Sequence, residues 1–145
     1  MTLRRAKADD KEGILRVARL LHLDMPGFIW DRGDFIDRQI KAGDYFVVEE
    51  EGEIIGAISF RQRQDKVYIE TIAIVNNHRD KGIGTKLIEF AKEFTREKGL
   101  RSLRLCSFYD YNTVDFYLSQ GFSLLKKPGK YQGHQYHRFE MKLDY

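Results

Sequence analysis

Hydrophobic positions in the first part of the chain recur with a helical period. Ile14, Val17 and Leu21 lie three or four residues apart, which predicts an amphipathic helix with one buried face. The acidic pair Asp9-Asp10 precedes this stripe and can cap the helix. The elements predicted for this part are a strand at 3–6, a helix that runs to about residue 21, and a second helix at 34–42 that Gly43 ends.

The period then changes from helical to alternating. The runs 45–49 and 54–61 flank a four-residue turn and predict a β-hairpin. A third strand is predicted at 67–75, and its later part is almost continuously apolar, which is typical of a strand covered on both faces. The remaining predicted elements are a helix at 84–98 before Gly99, a strand at 103–107, a short helix at 113–119 before Gly121, and two final strands at 122–125 and 136–143.

The order of these elements predicts a single α/β domain over residues 1–145. A hairpin group precedes a strand–helix–strand unit, so we expect a mixed sheet with helices on both faces. Only two prolines and no Ser/Gly tract are present, so the sequence offers no linker that would divide the chain.

The composition is that of an ordinary globular protein, with 42% hydrophobic and 32% charged residues. The net charge is +3, and acidic residues are spread among the basic ones, which argues against a nucleic-acid-binding face and suits an anionic ligand. The single cysteine, Cys106, forms no intrachain disulfide and favours a reducing compartment, so we expect a cytoplasmic protein. The first residues lack the apolar run of a signal peptide, and no stretch approaches the ~18 apolar residues of a membrane span.

The loop between the third strand and the long helix carries the main chemical signal. A glycine-containing turn that opens onto a helix N-terminus gathers free backbone N–H groups and the positive end of the helix dipole, which favours an anion. Gly82 and Gly84 allow the backbone to approach a phosphate closely. Arg79 and Lys81 add positive charge at the rim. The alternative interpretation is a basic surface turn before an amphipathic helix.

Two other phosphate-binding loops do not fit this pattern. A dinucleotide-binding loop needs a glycine three residues after Gly84, where Leu87 stands. An ATP-binding loop needs Gly-Lys-Ser/Thr, whereas Gly84-Thr85-Lys86 has the order reversed. The pattern Arg-x-x-Gly-x-Gly resembles instead the acetyl-coenzyme A loop of the GCN5-related N-acetyltransferases, the GNAT family.

A second motif downstream is similar to another pattern of that family, Asn-x-x-Ala-x-x-Phe-Tyr-x-x-x-Gly-Phe. Phe116-Tyr117 and Gly121-Phe122 match in spacing, whereas the Asn and Ala positions fall on Asp110 and Thr113. Asn112 stands two residues later and is the candidate substitute for the coenzyme contact of that Asn. The element order is similar over nearly the whole chain, which implies a GNAT-like fold with a mostly antiparallel central sheet and one parallel strand pair.

The resemblance implies a role for each matching residue in a metal-free transfer from acetyl-CoA to an amine. Backbone groups of Ile72, Ala73 and Ile74 would hold the pantetheine arm and the thioester carbonyl. Tyr117 would be the general acid for the departing thiolate, and the alternative for this residue is a core aromatic. The residues implied for the pyrophosphate are Arg79, Asp80, Lys81, Gly82, Ile83, Gly84 and Thr85.

Further candidates follow from the residues themselves. Period-two alternation places Glu70 on the same strand face as Tyr68, Ile72 and Ile74, so Glu70 is a candidate general base, with a surface ion pair as the alternative. The apolar loop 23–31 contains Phe28 and Trp30 and is either core or a wall of the acceptor pocket.

Two other residue types are expected to have no catalytic role. Cys106 is expected to be a buried small apolar residue, because no local pattern supports a Cys–His pair. His134 and His137 lack the further ligands that a metal needs.

The sequence therefore predicts an N-acetyltransferase that uses acetyl-CoA as cosubstrate. The acceptor is a primary amine on a small molecule, peptide or protein, and its identity stays open. The alternative is a non-catalytic acetyl-CoA-binding regulatory domain on the same fold. No nucleic-acid partner is expected, and a homodimer stays open.

Overall fold

A computed structural model describes residues 1–75 and 82–144, and its elements follow the predicted order. The α-helices are α1 (Lys11–Ala18), α2 (Gly33–Ala42), α3 (Ile83–Glu97) and α4 (Val114–Ser119). The strands are β1 (Thr2–Arg5), β2 (Tyr45–Glu50), β3 (Glu53–Arg63), β4 (Lys66–Ile74), β5 (Ser102–Phe108), β6 (Ser123–Leu124), β7 (Gly129–Tyr131) and β8 (His134–Lys142). Short 3₁₀ turns in the described part of the chain cover Ala8–Asp10, Arg19–Leu21 and Tyr109–Tyr111. Within the described ranges, no helix combines the length and apolarity needed to cross a membrane.

The strands form one eight-stranded mixed sheet in the order β1-β2-β3-β4-β5-β8-β6, with β7 paired to β8. The pair β4–β5 is parallel, with Lys66 opposite Ser102 and Ile69 opposite Leu105. The pairs β1–β2, β2–β3, β5–β8, β6–β8 and β7–β8 are antiparallel. The predicted fold class, a mostly antiparallel sheet with one parallel pair and accompanying helices, is therefore confirmed.

The chain divides into two compact units, and the first comprises Met1–Phe60 and Thr71–Gly84. Its core forms where the predicted stripe of α1 meets α2 and the inner residues of β2 and β3. Gly43 ends α2 with φ +77°, the left-handed conformation that glycine adopts at little cost. The buried residues of this core are Ala6, Ile14, Val17, Ala18, Phe35, Ile36, Tyr45, Val47, Ile54, Ala57 and Ala73.

The start of α1 differs from the prediction. Asp10 does not cap α1 with its side chain. Its Oδ2 accepts the backbone N–H of Lys7 at 2.7 Å and a hydrogen bond from Arg4 at 2.8 Å, and Arg4 donates a second one to Oδ1 at 2.9 Å. Arg4 also donates to Glu49 at 2.9 Å. The carboxylate therefore closes the 3₁₀ turn before the helix and ties it to β1.

Replacing Asp10 with asparagine is expected to lower the free energy of unfolding by about 2 kcal/mol at neutral pH, because a buried charged partner of Arg4 is lost. Arg4 lowers the pKa of Asp10 below its ordinary 3.8. A lowered native pKa stabilises the fold above the ordinary value, and this stabilisation is lost as the pH falls through the native pKa. Urea titrations of both proteins should therefore differ at neutral pH and converge in acid.

The exposed neighbour Asp9 provides the matched control, since Asp9→Asn changes the same charge outside this network. The stabilising role of the Asp10–Arg4 ion pair would be contradicted if Asp10→Asn and Asp9→Asn lost equal stability. It would also be contradicted if the loss in Asp10→Asn persisted unchanged in acid.

The second unit comprises Arg61–Glu70 and Thr85–Tyr145. Its core contains Leu103 and Leu105 of β5 and Phe139 and Met141 of β8, all buried. The strand β7 was not predicted, because three residues that include a glycine and a lysine carry no alternating pattern. Gly129 is required there, since a Cβ at this position would collide with the ring of Tyr136.

Candidate active site

The strand β4 alternates strictly between buried and half-buried residues. Glu70 shares the half-buried side with Tyr68, Ile72 and Ile74, as the alternation predicted, whereas Thr71 and its odd-numbered neighbours are buried. The expectation that this strand is covered on both faces is therefore wrong. The side chains on the half-buried side of β4 remain partly accessible. A ligand can therefore lie along this side of the strand.

Glu70 makes an ion pair within the second unit. Arg61 Nε lies 3.0 Å from Glu70 Oε2, and the Glu70 side chain keeps 15% of its surface exposed. The Arg61 guanidinium also lies 4.7 Å from the centroid of the Tyr68 ring. The sequence predicted the face of Glu70 and left an ion pair open as its alternative role; it did not identify the partner Arg61, which lies on the neighbouring strand β3. The pairing holds the carboxylate in one position and leaves it reachable, so the role of general base stays a prediction.

Of the predicted pyrophosphate-binding residues, the structure describes those from Gly82 to Thr85 at the start of α3. Gly82 is exposed with φ +74°, and, apart from its chain neighbours, no described residue has an atom within 4 Å of the position that a Cβ would occupy. Ile83 and Gly84 are buried, so the first helical turn is anchored. Thr85 accepts a hydrogen bond from Gln120 at 3.1 Å. The other predicted pyrophosphate residues, Arg79, Asp80 and Lys81, lie outside the described residues.

Tyr117 lies inside the core of the second unit, with 4% of its surface exposed. Its ring centroid is 5.1 Å from that of Phe116, 5.7 Å from that of Phe122 and 5.1 Å from that of Phe139. Burial raises the pKa of Tyr117 well above its ordinary value, so the phenol keeps its proton at neutral pH. A phenol that stays protonated can act as a proton donor, and the aromatic contacts also fit the core role.

Asp110 and Asn112, the two candidates for the coenzyme contact, have different surroundings. Asp110 Oδ1 lies 3.2 Å from His134 Nδ1. Asn112 is exposed, and its backbone follows a 3₁₀ turn with φ +53°, a conformation that asparagine tolerates. Thr113 Oγ1 lies 2.6 Å from Ser107 Oγ, which fixes the start of α4. Asp110 is thus engaged by a side chain, whereas the coenzyme contact of Asn112 stays a prediction.

The two candidate acceptor residues lie in the first unit. Phe28 is buried, with ring centroids at 5.0 Å from His22 and 5.1 Å from Trp30. Trp30 is partly buried and packs against the core cluster of this unit. These contacts give Phe28 and Trp30 a packing role, and their contact with an acceptor stays a prediction.

Cys106 is exposed, so the expectation of a buried cysteine is wrong. The strand β5 turns Leu103, Leu105 and Ser107 inward, and the alternation places Cys106 on the outer side. Neighbouring side chains still shield the sulfur, and this desolvation raises the pKa of the thiol. The charges that act on it are those of Arg138, Glu70, Arg61 and Arg104. Within residues 1–75 and 82–144, no group of three or more His, Cys, Asp or Glu could hold a metal.

Comparison with known proteins gives a consistent result. The model of the family described as "Acetyltransferase (GNAT) family" matches residues 15–122. The protein YxbD of Bacillus subtilis is 30% identical over 81 residues, which are 55% of this chain and 50% of YxbD, so the match spans about half the length of that relative.

Two solved structures are similar over almost their whole length. Ard1 from Thermoplasma volcanium has a TM-score of 0.81 at 21% identity, covering 99% of this chain and 98% of Ard1. Rv2747 from Mycobacterium tuberculosis, in complex with CoA and NLQ, has a TM-score of 0.83 at 14% identity, covering 99% of both chains. At these identities the two structures establish the fold.

Proposed function

The chain belongs to the acetyltransferase (GNAT) family, and we propose that it transfers the acetyl group of acetyl-CoA to a primary amine by direct attack. One observation carries this proposal: the matched region contains the half-buried side of β4, the open turn at Gly82 and the helix with Tyr117. Acetyl-CoA is the cosubstrate of this family. The turn and the strand therefore supply the two features that its pyrophosphate and its pantetheine arm need.

Coenzyme binding in this proposal uses backbone groups. The N–H groups of Gly82, Ile83, Gly84 and Thr85 begin α3 and, together with Arg79, Asp80 and Lys81, hold the pyrophosphate. Gly82 supports this assignment, because it has no Cβ and no side chain among the described residues beyond its chain neighbours lies within 4 Å of where one would stand, so that a phosphate oxygen can approach the backbone. The pantetheine arm is held by the backbone of Ile72, Ala73 and Ile74. Asn112 is exposed, so its side chain is accessible for a further contact with the coenzyme.

The chemistry needs proton transfers at the amine and at the thiolate. The amine nitrogen forms a bond to the thioester carbon, and backbone N–H donors on β4 stabilise the negative charge that develops on the carbonyl oxygen. The carbon–sulfur bond then breaks. Glu70 takes a proton from the substrate ammonium before the attack, directly or through water; Tyr117 gives its proton to the departing thiolate and regains one from the attacking nitrogen as the amide forms. The match of Phe116-Tyr117 and Gly121-Phe122 to the family's spacing supports the second role; burial raises the pKa of Tyr117, so the phenol is protonated when the thiolate forms and is a weaker acid than an exposed tyrosine.

A binding titration followed by a turnover assay tests the proposal. Acetyl-CoA should bind in a calorimetric titration, and free thiol should appear when a panel of amines, polyamines, amino acids and peptides is added. Binding without thiol release for any acceptor would favour the alternative of a non-catalytic acetyl-CoA-binding domain. No binding at millimolar acetyl-CoA would overturn both functions.

A further inference from the structure

One surface of the second unit collects charged side chains that the catalytic roles do not fully use. We call it the outer face and define it by Arg61, Tyr68, Glu70, Arg104, Cys106, Arg138 and Glu140. Strand register builds it, since Tyr68 lies opposite Arg104, Arg104 opposite Glu140, and Cys106 opposite Arg138. Each of these residues is half-buried or exposed. The outer face therefore presents a row of accessible charges around the candidate base Glu70.

Most charges on the outer face are neutralised in pairs. Arg61 pairs with Glu70 at 3.0 Å, and Arg104 pairs with Glu140 at 2.8 Å. Among the residues that the structure describes, Arg138 has no carboxylate within ion-pair distance. Its Nη1 donates one long hydrogen bond of 3.4 Å to the carbonyl oxygen of Lys127. A guanidinium offers five donors in a planar fork, so most of its capacity is unused.

Arg138 also has the right position to meet a bound acceptor. Cys106 separates it from Glu70, and neighbouring strands are about 4.8 Å apart, so β8 lies about 10 Å from β4 across this row. Cys106 lies opposite Arg138, and Glu70 and Cys106 directly follow the paired residues Ile69 and Leu105. Cys106, which is exposed, has a shorter side chain than the carboxylate-bearing residue on one side and the guanidinium-bearing residue on the other.

We propose that Arg138 binds a carboxylate of the acceptor, so that the substrate class is an amine that also carries a carboxylate several bonds away. The amine lies beside Glu70, and the carboxylate accepts two parallel hydrogen bonds from the Arg138 fork. This inference rests on the proposed N-acetyltransferase function. It names a substrate class with opposite charges at its two ends, such as an ω-amino acid or a peptide with an acidic residue after its N-terminus.

Matched acceptor pairs that differ only in the carboxylate test this proposal. The pairs are lysine against cadaverine, γ-aminobutyrate against butylamine, and the C-terminally amidated dipeptides Ala-Glu against Ala-Gln. The wild-type chain should show the lower KM for the carboxylate member of at least one pair. Arg138→Met should raise that KM by about 10- to 100-fold, as expected for a lost charge-assisted contact, and leave the KM of the partner amine unchanged.

Two further variants separate recognition from structure. Arg138→Lys should restore part of the preference, because it keeps the charge and loses the fork. Lys142→Met removes a cation from the same strand and the same side, and should keep the wild-type preference. An equal KM for both members of every pair, or an equal effect of Arg138→Met on both, would overturn the inference while leaving the acetyltransferase function intact. Turnover of no acceptor would overturn that function and the inference together.

Discussion

Replacing Glu70 with glutamine is expected to lower kcat/KM for an amine acceptor by about 100- to 1000-fold at neutral pH. A primary amine with a pKa near ~10 is almost entirely protonated at neutral pH and cannot attack until it loses a proton. The amide keeps the shape of Glu70 and cannot take that proton. Activity of the variant should therefore recover as the pH rises and the free amine becomes abundant, and a pH–rate profile checks this signature.

The variant Arg61→Gln separates the base from its ion pair. It removes the 3.0 Å partner of Glu70 and keeps the carboxylate, so its effect on kcat/KM should be much smaller. An equal loss in both variants would assign Glu70 to a structural ion pair instead. A loss of kcat/KM in Glu70→Gln that is the same at every pH would lead to the same conclusion.

Replacing Tyr117 with phenylalanine is expected to lower kcat by about 100-fold while the Kd for acetyl-CoA stays unchanged. The substitution removes one hydroxyl and keeps the ring between Phe116, Phe122 and Phe139. Packing is therefore preserved, and the melting temperature should stay close to that of the wild type. Steady-state kinetics together with a thermal melt distinguish a lost proton donor from a damaged core.

Tyr109→Phe is the matched control for this change. Tyr109 lies in the same unit, is 41% exposed and stacks on His137, so loss of its hydroxyl should leave kcat at the wild-type value. Wild-type turnover in Tyr117→Phe would place Tyr117 among the core aromatics without a catalytic role.

The sequence predicted those parts of the fold that depend on local patterns. The stripe of α1, the left-handed glycine that ends α2 and the alternation along β4 all concern residues close together in the chain, where period and backbone preference decide the outcome. The short strand β7 was missed because it exists only through its pairing with β8. Its glycine is explained by the Tyr136 ring, which the sequence alone does not place there.

The candidate site shows the same division. Alternation placed Glu70 on the correct side of β4, but its partner Arg61 comes from β3, nine residues earlier. The exposure of Cys106 depends on which side of β5 the core covers. The residue type of a cysteine on a strand does not indicate which side that is. The position of Arg138 opposite Cys106 emerges only from the register of β5 and β8. Which residues face each other across a sheet depends on how the strands pair. Local sequence patterns do not predict that pairing.

Isotopically labelled acetyl-CoA provides the most direct test of the central claim. The chain is incubated with acetyl-CoA that carries a heavy acetyl group and with lysine or a peptide, and the acceptor is then examined by mass spectrometry. Acetyl transfer to an amine predicts that the labelled acetyl group appears on an acceptor nitrogen and that one free CoA thiol forms for each product. Intact labelled acetyl-CoA after incubation with the whole amine panel, despite measurable binding, would contradict it.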